Sequence, residues 1–348
     1  MFPLNFPYTA LESAAQNDWV FDPFCGRGTT LFAARLRGLG AIGVDSNPVA
    51  AAIASAKLVR VTSRSVVALC EHIFKNPPTT INVPEGEFWD LCYHPATLIE
   101  ICILRDYFRQ NYLSDEARAL RATILGILHG PRAKGDATYL SNQMPRTYAT
   151  KPDAAVEYWG SRGMRPPRID VLQAIKRRAT YLFEELPPRS KGRVIHGDIR
   201  QIPMRWKRRF AHVITSPPYL GMRSYVADQW LRNWFLGLRE DVEYSQLDQL
   251  GLAGRQSFIA ELASVWERVA QLCTSGARLV IRFGALPSLH EDPLQVIRDS
   301  LELSSVGWRI TTARQVAEPS TSRRQASQFL GDANDALEEV DIYAKLEA

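Results

Sequence analysis

Short apolar runs alternate with amphipathic stretches at the two ends of this 348-residue chain, and a different pattern fills its middle. Near the start, "WVFDPF" (19–24) predicts a short strand and "GRGTTLFAARLRGL" a helix. "AIGVD" (41–45) predicts the next strand, and "PVAAAIASAKLV" a second helix opened by Pro48, since proline suits a helix's first turn. The alternation resumes with strands at "RVIHGD" (193–198) and "HVITS" (212–216), an amphipathic helix over 257–275, and the strand "ARLVIRFG" (277–284). A further helix leads to "WRITTARQV" (308–316) and "EVDIYAKLE" (339–347), read as an antiparallel pair at one sheet edge. Strands that alternate with helices call for a parallel sheet covered on both faces, so the predicted class is α/β.

Residues 70–190 read mainly as helix and loop. "PATLIEICILRDYFRQNYL", "ARALRATILGIL" and "DVLQAIKRRATYLFEEL" space their apolar residues as helices do. Residues 129–168 lie between the last two and are rich in Gly, Pro, Arg and aromatics. A loop-like stretch of that length in a compact chain is usually functional or disordered, and aromatic content argues against disorder. The expected organisation is one α/β domain in two pieces, 1–69 and 191–348, split by a mainly helical insert, 70–190.

Charge sharpens that division. The chain carries a net +5, yet residues 101–210 hold 22 Lys and Arg against 10 Asp and Glu. Of the 42 basic residues 34 are Arg, whose forked guanidinium suits phosphates and guanine edges. A polyanionic partner is expected at the insert, with Arg132, Lys134, Arg162, Arg165 and Arg168 as candidate DNA contacts. Five cysteines without a CxxC pair fit reduced thiols. Cys92-Tyr-His94 is the nearest approach to a metal site, and no metal is expected. No apolar run reaches the ~18–20 residues of a membrane span, and "MFPLNFPYTA" lacks a signal peptide's basic start. A cytoplasmic protein is expected.

"DPFCGRGTT" (22–30) lies between the first strand and its helix, where a tight turn lets backbone N–H groups approach a ligand. Gly26 and Gly28 remove Cβ atoms there, and Asp45, ending the next strand, can take both hydroxyls of a ribose. No Lys follows Gly28, which disfavours a Walker-type ATP site, and Leu31 stands where the dinucleotide fingerprint needs a small residue. S-adenosylmethionine needs no phosphate cradle, and Asp22 is placed for its α-amino group.

With "TSPPYL" (215–220), that loop resembles the paired signature motifs of the amino-group (N4-cytosine/N6-adenine) DNA methyltransferases, and most closely their Ser-Pro-Pro-Tyr branch. The resemblance covers roughly 1–65 and 190–348. It implies a Rossmann-like S-adenosylmethionine-dependent methyltransferase sheet, with the insert as target-recognition region. It further implies that Asp22, Phe24, Gly26, Gly28 and Thr29 form the methionine-side pocket, that Asp45 binds the ribose, and that Asp198 meets the adenine amino group. DNA methylation of the restriction–modification type follows from the likeness, though no residue names a partner nuclease.

An exocyclic amine is a poor nucleophile because its lone pair is delocalised into the ring. The Ser216 hydroxyl and the Pro217 carbonyl can accept its two N–H bonds, with the carbonyl's direction fixed by the locked proline and by Pro218 after it. Tyr219 can stack on a base flipped from the duplex. Cytosine N4 is the expected target. Adenine N6, an RNA amine, or an idle nucleic-acid-binding homologue are the rivals. Cytosine C5 chemistry is set aside because no cysteine follows a proline, and Cys25 is read as packing. Trp230 and Trp234 are expected in a core, while His129 and residues 135–148 approach the base or serve as scaffold.

Overall fold

The structure is a computed structural model that describes residues 2–110, 113–130, 139–144, 152–185, 187–188, 190–203, 209–220, 229–238, 254–284, 291–316 and 339–347. The chain forms two compact units. The first comprises Met1–Leu58, Pro188–Arg223 and Asp248–Ala348, and the second Val59–Pro187 with Ser224–Leu247. The second unit thus starts at Val59 rather than residue 70, and it takes back a segment that follows the Ser-Pro-Pro-Tyr stretch.

The first unit is the expected Rossmann-like α/β sheet. Its elements are α1 (Asn5–Ala10), β1 (Trp19–Asp22), α2 (Thr29–Leu36), β2 (Gly40–Asp45) and α3 (Pro48–Ser55) from the first piece of chain. The second unit contributes α4 (Ser63–Lys75), α5 (Glu87–Cys92), α6 (Pro95–Gln110), α7 (Asp115–Ile127), α8 (Pro152–Gly160), α9 (Val171–Phe183) and, later, α10 (Trp230–Phe235). The first unit resumes with β3 (Gly192–His196), β4 (Phe210–Thr215), α11 (Arg255–Ala270), β5 (Cys273–Gly284), α12 (Pro293–Ser304), β6 (Trp308–Gln315) and β7 (Glu339–Leu346).

The strand order is β3-β2-β1-β4-β5-β7-β6. β1 to β5 run parallel, β7 is antiparallel to both its neighbours, and β6 with β7 makes the edge pair that the pattern predicts. Both sheet faces are covered, which is why the central strands read as near-continuous apolar runs. Alternate residues point opposite ways. Phe21, Leu279, Ile281 and Phe283 pack with Trp266, Leu262 and Ile297 of α11 and α12, while Val20, Ile214 and Val280 pack with Leu31 and Ala34 of α2 and with Phe6. Trp266 is fully buried and donates its indole N–H to Ser300 Oγ at 2.9 Å, so its polar edge is satisfied.

In the second unit, α8 falls inside the stretch read from sequence as loop. Pro152 starts it, and Ala155 and Trp159, four apart, are fully buried. Its Trp159 joins an aromatic cluster with Phe88, Trp89, Trp230 and Trp234, in which Trp89 and Trp234 centroids lie 4.5 Å apart. Trp230 and Trp234 are therefore core residues, as expected. The Arg105 guanidinium lies over Trp234 at 4.7 Å and donates to its carbonyl at 3.0 Å.

Candidate active site

The C-terminal ends of β1, β2 and β4, where open α/β sheets carry their ligands, hold the residues singled out above. The glycine turn is held from three directions. Cys25 N donates to Val44 O at 2.9 Å, fixing the turn to β2. Asp45 Oδ2 accepts from Gly26 N at 2.7 Å and Oδ1 from Asn47 N at 2.9 Å, so one carboxyl fastens the turn and starts α3. Asn47 then caps α3 through Val49 N and Ala50 N. Burial raises the Asp45 carboxyl above its usual range, against these two donated bonds.

Gly28 caps α2 at φ +82°, and a Cβ there would stand 3.0 Å from Ala54 Cα. Only glycine fits both demands. Gly26 differs: its φ is +50°, and the space a Cβ would occupy is open. An open face on a positive-φ glycine beside a carboxylate fits the nucleoside end of S-adenosylmethionine. Phe24 and Thr29 flank the turn half-buried, and Arg27 is exposed.

Asp22 is placed differently from the sequence expectation. It ends β1 only 1% exposed, with its carboxyl turned toward groups of the chain rather than toward open space. Oδ1 accepts from the Thr215 hydroxyl at 2.7 Å and from Phe24 N at 3.1 Å, and Thr30 adds a third hydrogen bond. Burial outweighs these bonds and pushes the carboxyl up to about 7. Asp22 joins the glycine turn to the end of β4, one residue before Ser216.

Ser216 is half-buried, Pro217 buried and Pro218 exposed. Tyr219, expected as a free stacking platform, is 9% exposed and part of the sheet's core, with its ring edge-on to Phe283 at 5.7 Å. Its hydroxyl donates to Glu339 Oε1 at 2.9 Å. Burial and the Glu339 charge raise its pKa, while a hydrogen bond from Ser216 opposes them. Glu339, first residue of β7, escaped the sequence reading because it lies 120 residues away.

Asp198 follows β3, and both its oxygens accept from Arg200, which also donates to Glu261 Oε2 at 2.9 Å. Burial works to raise this carboxyl, but the Arg200 bonds prevail and hold it below its usual range. In the second unit, Arg168 is bound to Glu100, Thr97 Oγ1 and the Ile169 carbonyl, and so ties the segment before α9 to α6. Its role there is structural, unlike the DNA contact expected of it. Arg162 and Arg165 are exposed, with Arg162 over the Tyr158 ring at 4.1 Å. Arg132 and Lys134 lie outside the described residues. His129 bonds Ser141 Oγ at 2.7 Å and its carbonyl accepts from Arg232, which makes it scaffold; burial lowers its pKa to about 3. Residues 135–138 and 145–148 lie outside the described residues. Among the described residues, no group of three or more His, Cys, Asp or Glu is arranged to hold a metal ion, and no helix is long and apolar enough to cross a membrane.

Residues 2–56 match the DNA methylase family model N6_N4_Mtase. This match covers α1 to α3 and the whole glycine turn, and it supports the amino-methyltransferase family, which uses S-adenosylmethionine. No curated protein matches the chain. Similar solved structures include geranyl diphosphate C-methyltransferase from Streptomyces coelicolor A3(2), at 11% identity over 99% of this chain and 78% of that one, TM-score 0.39. A SAM-dependent methyltransferase from Methanosarcina mazei is 10% identical over 100% and 98% of the two chains, TM-score 0.38. The rRNA methyltransferase aviRa from Streptomyces viridochromogenes is 10% identical over 99% and 85%, TM-score 0.34. TM-scores this low carry no argument about substrate or mechanism.

Proposed function

We propose that the chain is a DNA methyltransferase that moves a methyl group from S-adenosylmethionine to the exocyclic N4 of cytosine. The observation that carries this reading is the Asp22–Thr215 bond, which links the glycine turn directly to the Ser216-Pro217 loop. A cofactor loop and an amine-binding loop joined at hydrogen-bond distance suit a transfer between two bound reactants. S-adenosylmethionine supplies an electrophilic methyl on its sulfonium. Gly26 leaves room for its nucleoside, the lone pairs Asp45 keeps beyond its two N–H contacts take the ribose hydroxyls, and Asp198 takes the adenine amino group.

At the amine, Ser216 Oγ and the Pro217 carbonyl accept the two N–H bonds, draw the nitrogen toward tetrahedral geometry and free its lone pair. Alignment of reactants in this way is worth several kcal/mol of barrier, up to about 7–11 in the best cases. A neutral hydroxyl, where adenine enzymes of this kind place a carboxylate or carboxamide, favours cytosine. Because Tyr219 is committed to the core, it acts as a fixed wall of the base pocket. Unit 2 would read the target sequence, with the exposed Arg162 and Arg165, together with Arg132 and Lys134, on phosphates.

The test is mass spectrometry of nucleosides from DNA methylated by the purified chain. N4-methylcytosine is the expected product. N6-methyladenine alone would reassign the base, and methylation of RNA but not DNA would reassign the substrate.

A further inference from the structure

A serine hydroxyl is both donor and acceptor, and an amine clamp needs it only as acceptor. Something must therefore take the hydroxyl's own proton away from the substrate. The Ser216 hydroxyl hydrogen-bonds to Tyr219, and the Tyr219 hydroxyl donates to Glu339 Oε1 at 2.9 Å. The chain of donors runs one way, from Ser216 through Tyr219 to a carboxylate. Tyr219 and Glu339 are each only 9% exposed, so water competes little for either bond.

The far end of this chain is fixed by its neighbours. Arg282, opposite Asp341 in the β5–β7 register, makes a two-pronged bond to it, with Nε–Oδ1 and Nη2–Oδ2 both 2.7 Å. Phe6 covers the same guanidinium at 4.1 Å. Arg282 and Asp341 satisfy each other, while Glu339, two positions before Asp341 on β7, receives the tyrosine proton.

We infer that Glu339 is a positioning residue that acts through Tyr219 to make Ser216 an acceptor, and that it is the final acceptor of the proton the amine loses. The inference rests on the methyl-transfer reading above. In the reaction the nitrogen lone pair forms the new N–C bond while the S–C bond breaks and sulfur keeps its electron pair. The cationic nitrogen then gives a proton to Ser216 Oγ. The serine's original proton passes to the Tyr219 oxygen, and the tyrosine's proton passes to the Glu339 carboxylate, which becomes a carboxylic acid and later returns the proton to water. No outside base is needed.

The experiment measures transfer of tritiated methyl to duplex DNA by the full chain and by Glu339→Gln, Ser216→Ala and their double variant, with cofactor affinity followed by calorimetry. Gln at 339 still accepts from Tyr219 but takes no proton. The expected result is a fall in kcat of about 100-fold for Glu339→Gln, the lower range for a general base, with cofactor affinity unchanged. The double variant should be little slower than Ser216→Ala alone, because groups that act as a unit do not add. Wild-type kcat in Glu339→Gln, or losses that multiply in the double variant, would overturn the relay. If Glu339→Gln fails to fold, Tyr219→Phe keeps the buried ring and cuts the same chain. It should show the same fall, and wild-type kcat there would equally overturn the relay. A wild-type chain that methylates no DNA would instead overturn the function, and the relay with it.

Discussion

Replacing Asp22 by Asn should change how stability depends on pH. The Asp22 carboxyl is 1% exposed, and burial raises it from 3.8 to about 7 even though Thr30, Thr215 and Phe24 N all donate to it. That difference, at about 1.4 kcal/mol per pH unit, amounts to about 4 kcal/mol. Well below 3.8 both folded and unfolded chains hold the proton, and the site has no pH-dependent cost. Between about 3.8 and about 7 only the folded chain holds it, so stability from this site falls as pH rises and levels off above about 7. Asn keeps the shape, can still accept from Thr215 and Phe24 N, and does not titrate. Urea unfolding of both proteins without cofactor, from about pH 4 to about pH 8, should show Asp22→Asn gaining on the wild type by about 4 kcal/mol across that window. Parallel stability curves would refute the buried-carboxyl argument.

Thr215→Val should cost about 1–3 kcal/mol by leaving the Asp22 carboxyl short of a donor, and should slow methyl transfer more than it weakens cofactor binding, as read by calorimetry beside turnover. Gly28→Ala should abolish cofactor binding, since φ +82° and the 3.0 Å approach to Ala54 both oppose a Cβ; retained affinity would show that the turn tolerates strain. Asp45→Ala should weaken cofactor binding by loosening Gly26 as well as by losing the ribose contact, visible in the same calorimetry. Arg162→Ala with Arg165→Ala should lower DNA affinity and flatten its salt dependence, measured by fluorescence anisotropy against ionic strength. Arg168→Ala should instead lower the melting temperature and leave DNA affinity unchanged.

Local chemistry was readable from the chain and long-range pairing was not. The strands announced themselves because both their faces are buried, and the turn at Gly26 and Gly28 because no other residue serves there. α8 was hidden by the Gly- and Pro-rich sequence around it, although Ala155 and Trp159 stand four apart and Pro152 marks a start. Arg168 looked like a phosphate ligand because exposed arginines in a basic stretch all look alike, and Glu100 lies 68 residues away. Tyr219 looked like a stacking platform for a related reason. Whether an aromatic beside a catalytic loop faces ligand or core depends on what lies behind it, here Phe283 and Glu339. Asp22 was placed correctly at the site's edge, but its burial depended on Thr215, 193 residues on.

The interruption of the sheet by the second unit shapes how the protein is made. β1 and β2 leave the ribosome early, whereas β4, the other neighbour of β1, ends at Thr215. At about 5–20 residues per second, a nascent chain waits roughly 10–30 s between residue 58 and that strand. Throughout that interval Val20, Phe21, Ile42 and Val44 lack most of their eventual cover, while the elements between Val59 and Pro187 are already complete for their own unit. The early strands are thus exposed during translation to chaperones, proteases and other nascent chains. Ribosome-bound chains halted before Phe210 should be cleaved within residues 1–58 far faster than chains halted after Leu346 has emerged.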